Sequence, residues 1–465
     1  MDRKAIKNLI ETVTDMDFSN PATKPIVLGL IETLYEMIIK LEGRVQDLED
    51  EIKRLKGEKG KPDIKPNRQN NSKQKMEQEP NKLWMKKAKA IKIDREIIVP
   101  INRDILPNDV VFKGYTEKVI QNIKITTDNV LYKRETFYSS IENKTYIAHV
   151  PFHLEGTSFG PELKAWIMTM YFENRMTENL IHAFLSSVGI FISEGEISNI
   201  IIKEKAEKFT MEKDDIFETG VSVSNNIGID DSGFKEDGQN KYINIICNAL
   251  FASFVVNDRK NSQTIEKMFE KFNLENKVLS CDDAPQWFIL VTLFQLCWVH
   301  EERHYKKLNP ILKSHREELT KKISEIWDYY KMLKDYKEHP NNSEKKILVN
   351  LFDDIFNVES IYPALNERLK LTYAKKNKLL TVLDNPGVAI HNNMSENGIR
   401  PSVIKRKISN GTRVKCGTIA WENHLSILIT CKKHKISYFE YVLDIFKGQE
   451  HKSSLSSIIR QKALV

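Results

Sequence analysis

Between residues 26 and 57 the apolar positions repeat every seven residues, with Ile31, Ile38, Val45 and Ile52 at one seam position and Leu34, Leu41, Leu48 and Leu55 at the other. Such a repeat keeps a single stripe of a helix facing a partner helix, which is the condition for a coiled coil. β-Branched residues at a with leucine at d favour two parallel strands, and the pairs Arg44–Glu49 and Glu51–Lys56 attract in that register. The competing reading is one amphipathic helix packed on its own domain. The unbroken heptads favour the coil, so a homodimer or higher assembly joined through 26–57 is expected, with 1–57 as an N-terminal helical region.

From 58 to 92 the text turns to Lys, Asn, Gln and Pro with few branched apolar residues, too little apolar surface to order a backbone, and a basic linker is expected. Residues 96–150 alternate apolar and polar positions in short runs, EIIVPI, KVIQNIKI, NVLYKRETFY and KTYIAHV, which predict a small antiparallel β-module over 93–155. Over 156–208 the period becomes helical. Pro161 opens one helix, Thr177 caps a second, Val188–Gly189 ends it, and Ser193 caps a third, a helix-turn-helix-like arrangement. Glu194, Gly195 and Glu196 make a poor start for a DNA-reading helix, so a purely structural helical module is the equal alternative.

The next segment predicts three strands (SVSNNIGIDD, KYINIICNAL, FASFVVND), a helix (SQTIEKMFEKFN), a strand (KVLSCDD), a helix (APQWFILVTLF) and a strand (QLCWV). The order β-β-β-α-β-α-β is that of a ribonuclease-H-like mixed sheet in an α/β fold. This core runs over 209–300, a helical insertion follows at 301–385, and the chain returns to the core over 386–465.

Composition adds a partner and removes several classes. No apolar run approaches the roughly 18 residues of a membrane span, and MDRKAIKNLIETVTD carries no apolar targeting core, so the cytoplasm is the expected compartment. The five cysteines form no C-x-x-C pair, which argues against a disulfide framework and a zinc module and for reduced, mostly buried thiols. The net charge of +7 is concentrated at 53–92 and 400–415, pointing to a polyanion.

Two acids end predicted strands, Asp230 in IGIDDSG and Asp282 in VLSCDD, and the fold order brings those strands side by side. Glu396, in HNNMSENGIR on a returning helix, completes a cluster. Three converging carboxylates suit two hard divalent ions, Mg²⁺ or Mn²⁺, which activate an attacking hydroxyl and steady a leaving oxygen in phosphoryl transfer. Each acid alone reads as a cap or a solvated charge. Asp231 and Asp283 compete for the same role, because a shift of one residue exchanges the two faces of a strand; the first of each pair is preferred.

The phrases around these acids, DDSG with KYINIICNALFASF, SCDDAPQW, CWVHEER, IHNNMSENGIRPSVIKRKISNGTR and ISYFEYVLDIF, resemble those of the insertion sequence 66 family of transposases, and the resemblance runs from the coil to the end of the chain. It implies a triad of Asp230, Asp282 and Glu396, framed by Asn392, Asn393 and Arg400, that cuts and joins DNA at an element's terminal inverted repeats and at target DNA, with accessory proteins of the same element as further partners. Many members carry a cysteine-rich zinc module where 93–155 has no cysteine, so no zinc is expected there. Arg400, Lys405, Arg406, Lys407, Arg413 and Lys415 are the candidates for holding DNA backbone, against the reading of a solvated basic face.

Two other functions compete. One is a DNA-binding relic of a transposase without turnover. The other is a zinc peptidase, because His300-Glu301-Glu302-Arg303-His304 spells H-E-x-x-H. That motif needs one continuous helix, and QLCWV predicts a strand ending at His300, so the histidines are expected to straddle a junction. A C-x-x-H zinc site at Cys297 and His300 lacks a second pair. His300 is expected beside the carboxylates.

Overall fold

The computed structural model describes residues 12–13, 23–55, 93–102, 106–107, 109–151, 154–291, 293–448 and 454–464; the linker expected at 58–92 lies outside them. The chain divides into two compact units, Met1–Met37 with Thr126–Val465, and Ile38–Ile125.

The heptad segment forms helix α1 (Thr23–Leu55). Its seam is open, with Leu34 and Leu41 each 59% exposed and Leu48 63%. Glu32 and Glu36, at the b and f positions away from that seam, turn to the rest of the chain. Glu32 accepts from Ile311 N–H at 2.6 Å and Leu312 N–H at 3.1 Å and pairs with His315, while the Tyr362 hydroxyl donates to Glu36.

The β-module is smaller than its alternation suggests. Residues 93–102 and 110–135 have no strand partners, and β1 (Thr136–Ser139) and β2 (Lys144–Ile147) form a hairpin in register Thr136↔Ile147. Ile97, Val99 and Ile120 accordingly stay exposed. Alternation alone does not make a sheet; a hairpin has no second layer on which to bury an apolar face.

The helical module follows its cap signals. Pro161 starts α2 (Pro161–Met168), which runs into a π-helix at Thr169–Glu173; Thr177 and Ser193 accept from Leu180 N–H and Glu196 N–H to cap α3 (Glu178–Ser187) and α4 (Glu194–Ile202). Gly189, at φ +83°, makes the break between them, a conformation that only glycine adopts without strain.

Helix α5 (Ala206–Val223) leads to β3 (Asn226–Glu236), β4 (Gln239–Cys247), β5 (Ala252–Asn257), α6 (Ser262–Phe269), β6 (Val278–Cys281), a 3₁₀ turn (Pro285–Ile289) and β7 (Leu293–Leu296). The sheet order is β5-β4-β3-β6-β7, with β3, β4 and β5 antiparallel and β6 and β7 parallel to β3. This mixed α/β architecture is compatible with a ribonuclease-H-like core. Two expectations shift. The helix expected over APQWFILVTLF is one 3₁₀ turn, because the crossover from β6 to β7 is short and Trp287 is held inward. The last strand stops at Leu296, so Trp298 already opens α7 (Trp298–Lys306).

The insertion supplies α8 (Lys313–Glu338), α9 (Asn342–Phe356), α10 (Pro363–Tyr373) and α11 (Lys376–Leu379). The chain returns as α12 (Asn393–Ser409), α13 (Lys415–His434), α14 (Tyr438–Lys447) and α15 (Leu455–Ala463). Among the described residues no helix is long and apolar enough to cross a membrane.

Helix α13 meets β5 through a matched spacing. Thr430, Ser426 and Glu422 accept the N–H groups of Ala252, Phe254 and Val256 at 3.1, 2.9 and 2.7 Å. Four residues along a helix rise about 6 Å and two along a strand about 6.7 Å, so alternate strand amides meet successive helix turns. Ser426→Ala leaves the buried Phe254 amide unpaired and is expected to cost about 1–3 kcal/mol. Urea titration of the two proteins measures it, and equal midpoints would show that the contact contributes nothing.

Candidate active site

The sheet register decides which acid of each pair faces which way. The last parallel pair of β3 and β6 is Gly228↔Ser280. Asp230 and Asp282 both lie two residues further on, and side chains two apart along extended chain share a face. That face is the one covered by α12, for a Cβ at Gly228 would lie 2.6 Å from Ser395 Oγ and 3.9 Å from Asn392 Oδ1. Asp231 and Asp283 point the other way and are taken up by cations: Lys260 Nζ lies 2.8 Å from Asp231, and Lys375 pairs with Asp283. Asp230 does not end its strand, which runs on to Glu236 paired with β4; it stands where the parallel pairing stops.

Glu396 lies in the first turn of α12. The start of that helix is tied down by buried Asn392, whose Nδ2 donates to Ile229 O at 3.2 Å and whose N–H donates to Cys297 Sγ at 3.2 Å. Asn393 is exposed. Asp282 is steered by the indole of Trp287, which donates to its Oδ1 at 3.1 Å, and by Ala284 N–H at 3.3 Å. His300 Nε2 and Arg303 Nη1 lie 3.5 and 3.7 Å from Glu396 Oε1, within ion-pair reach but without hydrogen-bond geometry, and Arg303 donates to His300 Nε2 at 3.2 Å.

Around Asp230 negative charge prevails. Burial, followed by the negative charges of Asp282, Asp231 and Glu396, pushes the Asp230 carboxyl up to about 7 against the opposing hydrogen bond from Asp231 N–H. Glu396 Oε1 is buried without a hydrogen-bond partner. Carboxylate oxygens with unmet negative charge are the donors that hard divalent cations take. The set is open rather than a finished cage: among the described residues no three His, Cys, Asp or Glu side chains stand together ready to hold an ion.

Residues 156–418 match the model of the Transposase IS66 family, more than half of the 465-residue chain. The chain belongs to the IS66 family of transposases. It is also similar to the Uncharacterized protein y4jO of Sinorhizobium fredii, at 34% identity over 171 residues, which are 37% of this chain and 53% of that protein. The chain thus matches about half the length of this curated relative.

In this IS66-family chain the basic run separates into surface and interior. Arg400, Lys407, Arg413 and Lys415 are exposed, Arg400 one turn beyond Glu396, and Arg406 is half-buried beside Gly233. Lys405 corrects the expectation of a phosphate contact. It is 2% exposed, donates to Tyr171 O at 2.9 Å, and its ammonium lies 3.2 Å from the Tyr171 ring centre and 5.5 Å from that of Trp421. Burial outweighs the nearby charge of Glu178 and lowers its pKa to about 7.

The H-E-x-x-H segment is not split. His300 through His304 lie on the single helix α7, not across a junction. The peptidase reading fails for another reason: Glu301, the would-be base, is buried and bound by Arg368, Thr372 and Lys375, and His300 faces Glu396. In the C-x-x-H alternative, Cys297 Sγ already accepts from Asn392 N–H at 3.2 Å and His300 faces Glu396. Cys247, Cys281, Cys297 and Cys431 are free and buried, Cys416 free and exposed. Sequence reading missed Trp287, Arg303, Lys260 and Lys375; the phrases SCDDAPQW and CWVHEER already contained the first two.

Because the Asp230 carboxyl titrates near 7 in the fold and near 3.8 when unfolded, its contribution to stability is greatest at low pH and is lost as pH rises through 7. Asp230→Asn should therefore raise the thermal midpoint in EDTA at pH 8 by about 2 °C or more, with the gain shrinking at pH 5. Added Mg²⁺ should stabilise the wild type and leave the variant unmoved. A variant no more stable than wild type at pH 8 would show that the charge is not confined.

Proposed function

We propose that this transposase cuts and joins DNA at the ends of its element through an Asp–Asp–Glu triad of Asp230, Asp282 and Glu396. The observation that carries the reading is the shared position of Asp230 and Asp282, two residues past the last parallel pair, on the sheet face that α12 covers with Glu396. Two Mg²⁺ or Mn²⁺ ions held by these carboxylates would supply Lewis acidity for the attacking and leaving oxygens. The protein's own part is to orient and exclude. Trp287 fixes one oxygen of Asp282, Asn392 fixes the start of the glutamate helix against β3, and Arg303, beside His300, sets positive character at the rim.

DNA binding is assigned to Arg400, Arg406, Lys407, Arg413 and Lys415, which lie on or just after the helix that carries Glu396 and so hold backbone close to the acids. The helices α3 and α4 are the candidate helix-turn-helix for the terminal inverted repeats. The substrates are element ends and target DNA, and accessory proteins of the same element are further candidate partners. The exposed leucines at the d positions of α1, with Glu32 and Glu36 turned to the same chain, support dimerisation through the coil.

Asp230→Asn, Asp282→Asn and Glu396→Gln should each keep binding to a duplex carrying the native ends while Mg²⁺-dependent nicking falls by orders of magnitude. Asp231→Asn, whose carboxylate serves Lys260, should be much milder. Wild-type nicking by all three triad variants would end the proposal.

A peptide of residues 26–57 should sediment as a helical dimer at tens of micromolar, with a melting temperature that rises with concentration. Leu41→Pro should abolish the helix. A monomer at that concentration removes the coil from the assembly.

A further inference from the structure

The insertion reaches the acid cluster through one cation. Lys375, between α10 and α11 and with a side chain 19% exposed, pairs with Asp283 and lies 3.4 Å from Glu301 Oε2. Asp283 adjoins Asp282 in the chain. Glu301 adjoins His300, whose imidazole faces Glu396. The ammonium therefore bridges the loop that carries one proposed metal-holding acid to the helix that backs another.

We propose that Lys375 is a positioning residue for the catalytic acids: by clamping Asp283 to Glu301 it fixes the Asp282 loop relative to α7. The proposal rests on the triad reading above. Its physical basis is the weakness of the loop without the clamp. The β6–β7 ladder ends at Cys281↔Leu296, so Asp282 and Asp283 have left the sheet's own hydrogen bonding. Lys375 holds the loop at Asp283 from the far side. The α7 end of the bridge is firm, since Glu301 is 4% exposed and also takes Arg368 and, at 2.5 Å, the Thr372 hydroxyl. Burial alone would raise the Glu301 pKa, but the charge of Arg368, followed by Thr372 and Lys375, holds it below the usual carboxylate range, so the anchor is ionised.

The sign of one measurement separates positioning from simple charge. A lysine that acted only through its positive charge would weaken cation binding nearby, and its removal would tighten it. Removing a residue that orients a ligand loosens binding, typically by tenfold or more. Mn²⁺ binding to the full-length protein, followed by calorimetry, is therefore compared for wild type, Lys375→Met, Lys375→Arg and Asp282→Asn, with thermal melts as a check on folding. Lys375→Met is expected to raise the Kd about tenfold, and Lys375→Arg, which keeps both ion pairs, to restore most of it. If the Met variant does not fold, Lys375→Gln takes its place with the same expected sign. Unchanged or tighter binding without the lysine overturns the proposal while Asp282→Asn still abolishes binding. A wild type that binds no Mn²⁺, or an Asp282→Asn variant that binds it normally, overturns the triad reading and this proposal with it.

Discussion

Helix α12 can approach β3 only because position 228 has no side chain. A Cβ there would meet Ser395 Oγ at 2.6 Å, and one at Gly398 would meet the Ile245 side chain at 2.5 Å, so two glycines on facing elements set the depth at which the helix rests. At that depth Asn392 reaches the carbonyl of Ile229, the residue before Asp230, and Glu396 comes into the field of the two aspartates. The close packing brings three acids together in a partly buried place, and burial, followed by the neighbouring negative charges, pushes the Asp230 carboxyl up to about 7.

Much of this was legible from local rules. Strand order followed from alternation and turn residues, and the caps at Thr177 and Ser193 follow from short polar side chains preceding apolar helical runs. Asp230 and Asp282 stood out because each follows a short apolar run, although only the β6 strand ends there; β3 continues to Glu236. What failed depended on distant partners. The apolar run before His300 suits a strand or a buried helix equally, and only the crossing chain at Ile390, which accepts from Trp298 N–H at 3.0 Å, shows where the strand gives way. The burial of Lys405 required Tyr171, from far away in sequence, together with Trp421 of the following helix, and no feature of the basic run announces it.

The insertion is bound to the core at several points. Buried Gln295 on β7 donates to Leu379 O and accepts from Val382 N–H, at 3.0 and 2.8 Å, and Trp298 donates to the same Leu379 carbonyl at 3.0 Å. Helix α10 begins just after Tyr362, which touches α1 through Glu36, and leads into Lys375 at the acids. An element that enters the sequence as an interruption is therefore continuous with both the N-terminal helix and the face that carries the candidate acids.

The pairing of α13 with β5 has a consequence for assembly. An outer strand with free amides is a template on which another chain can add a strand. Here the outward amides of β5 are consumed by Thr430, Ser426 and Glu422, so the helix behaves as a surrogate sixth strand made of side chains. At the opposite margin Thr381 donates to Phe294 O of β7 at 2.5 Å. On the β5 margin the amides that would receive a further strand are thus already taken, and lengthening this sheet there is blocked.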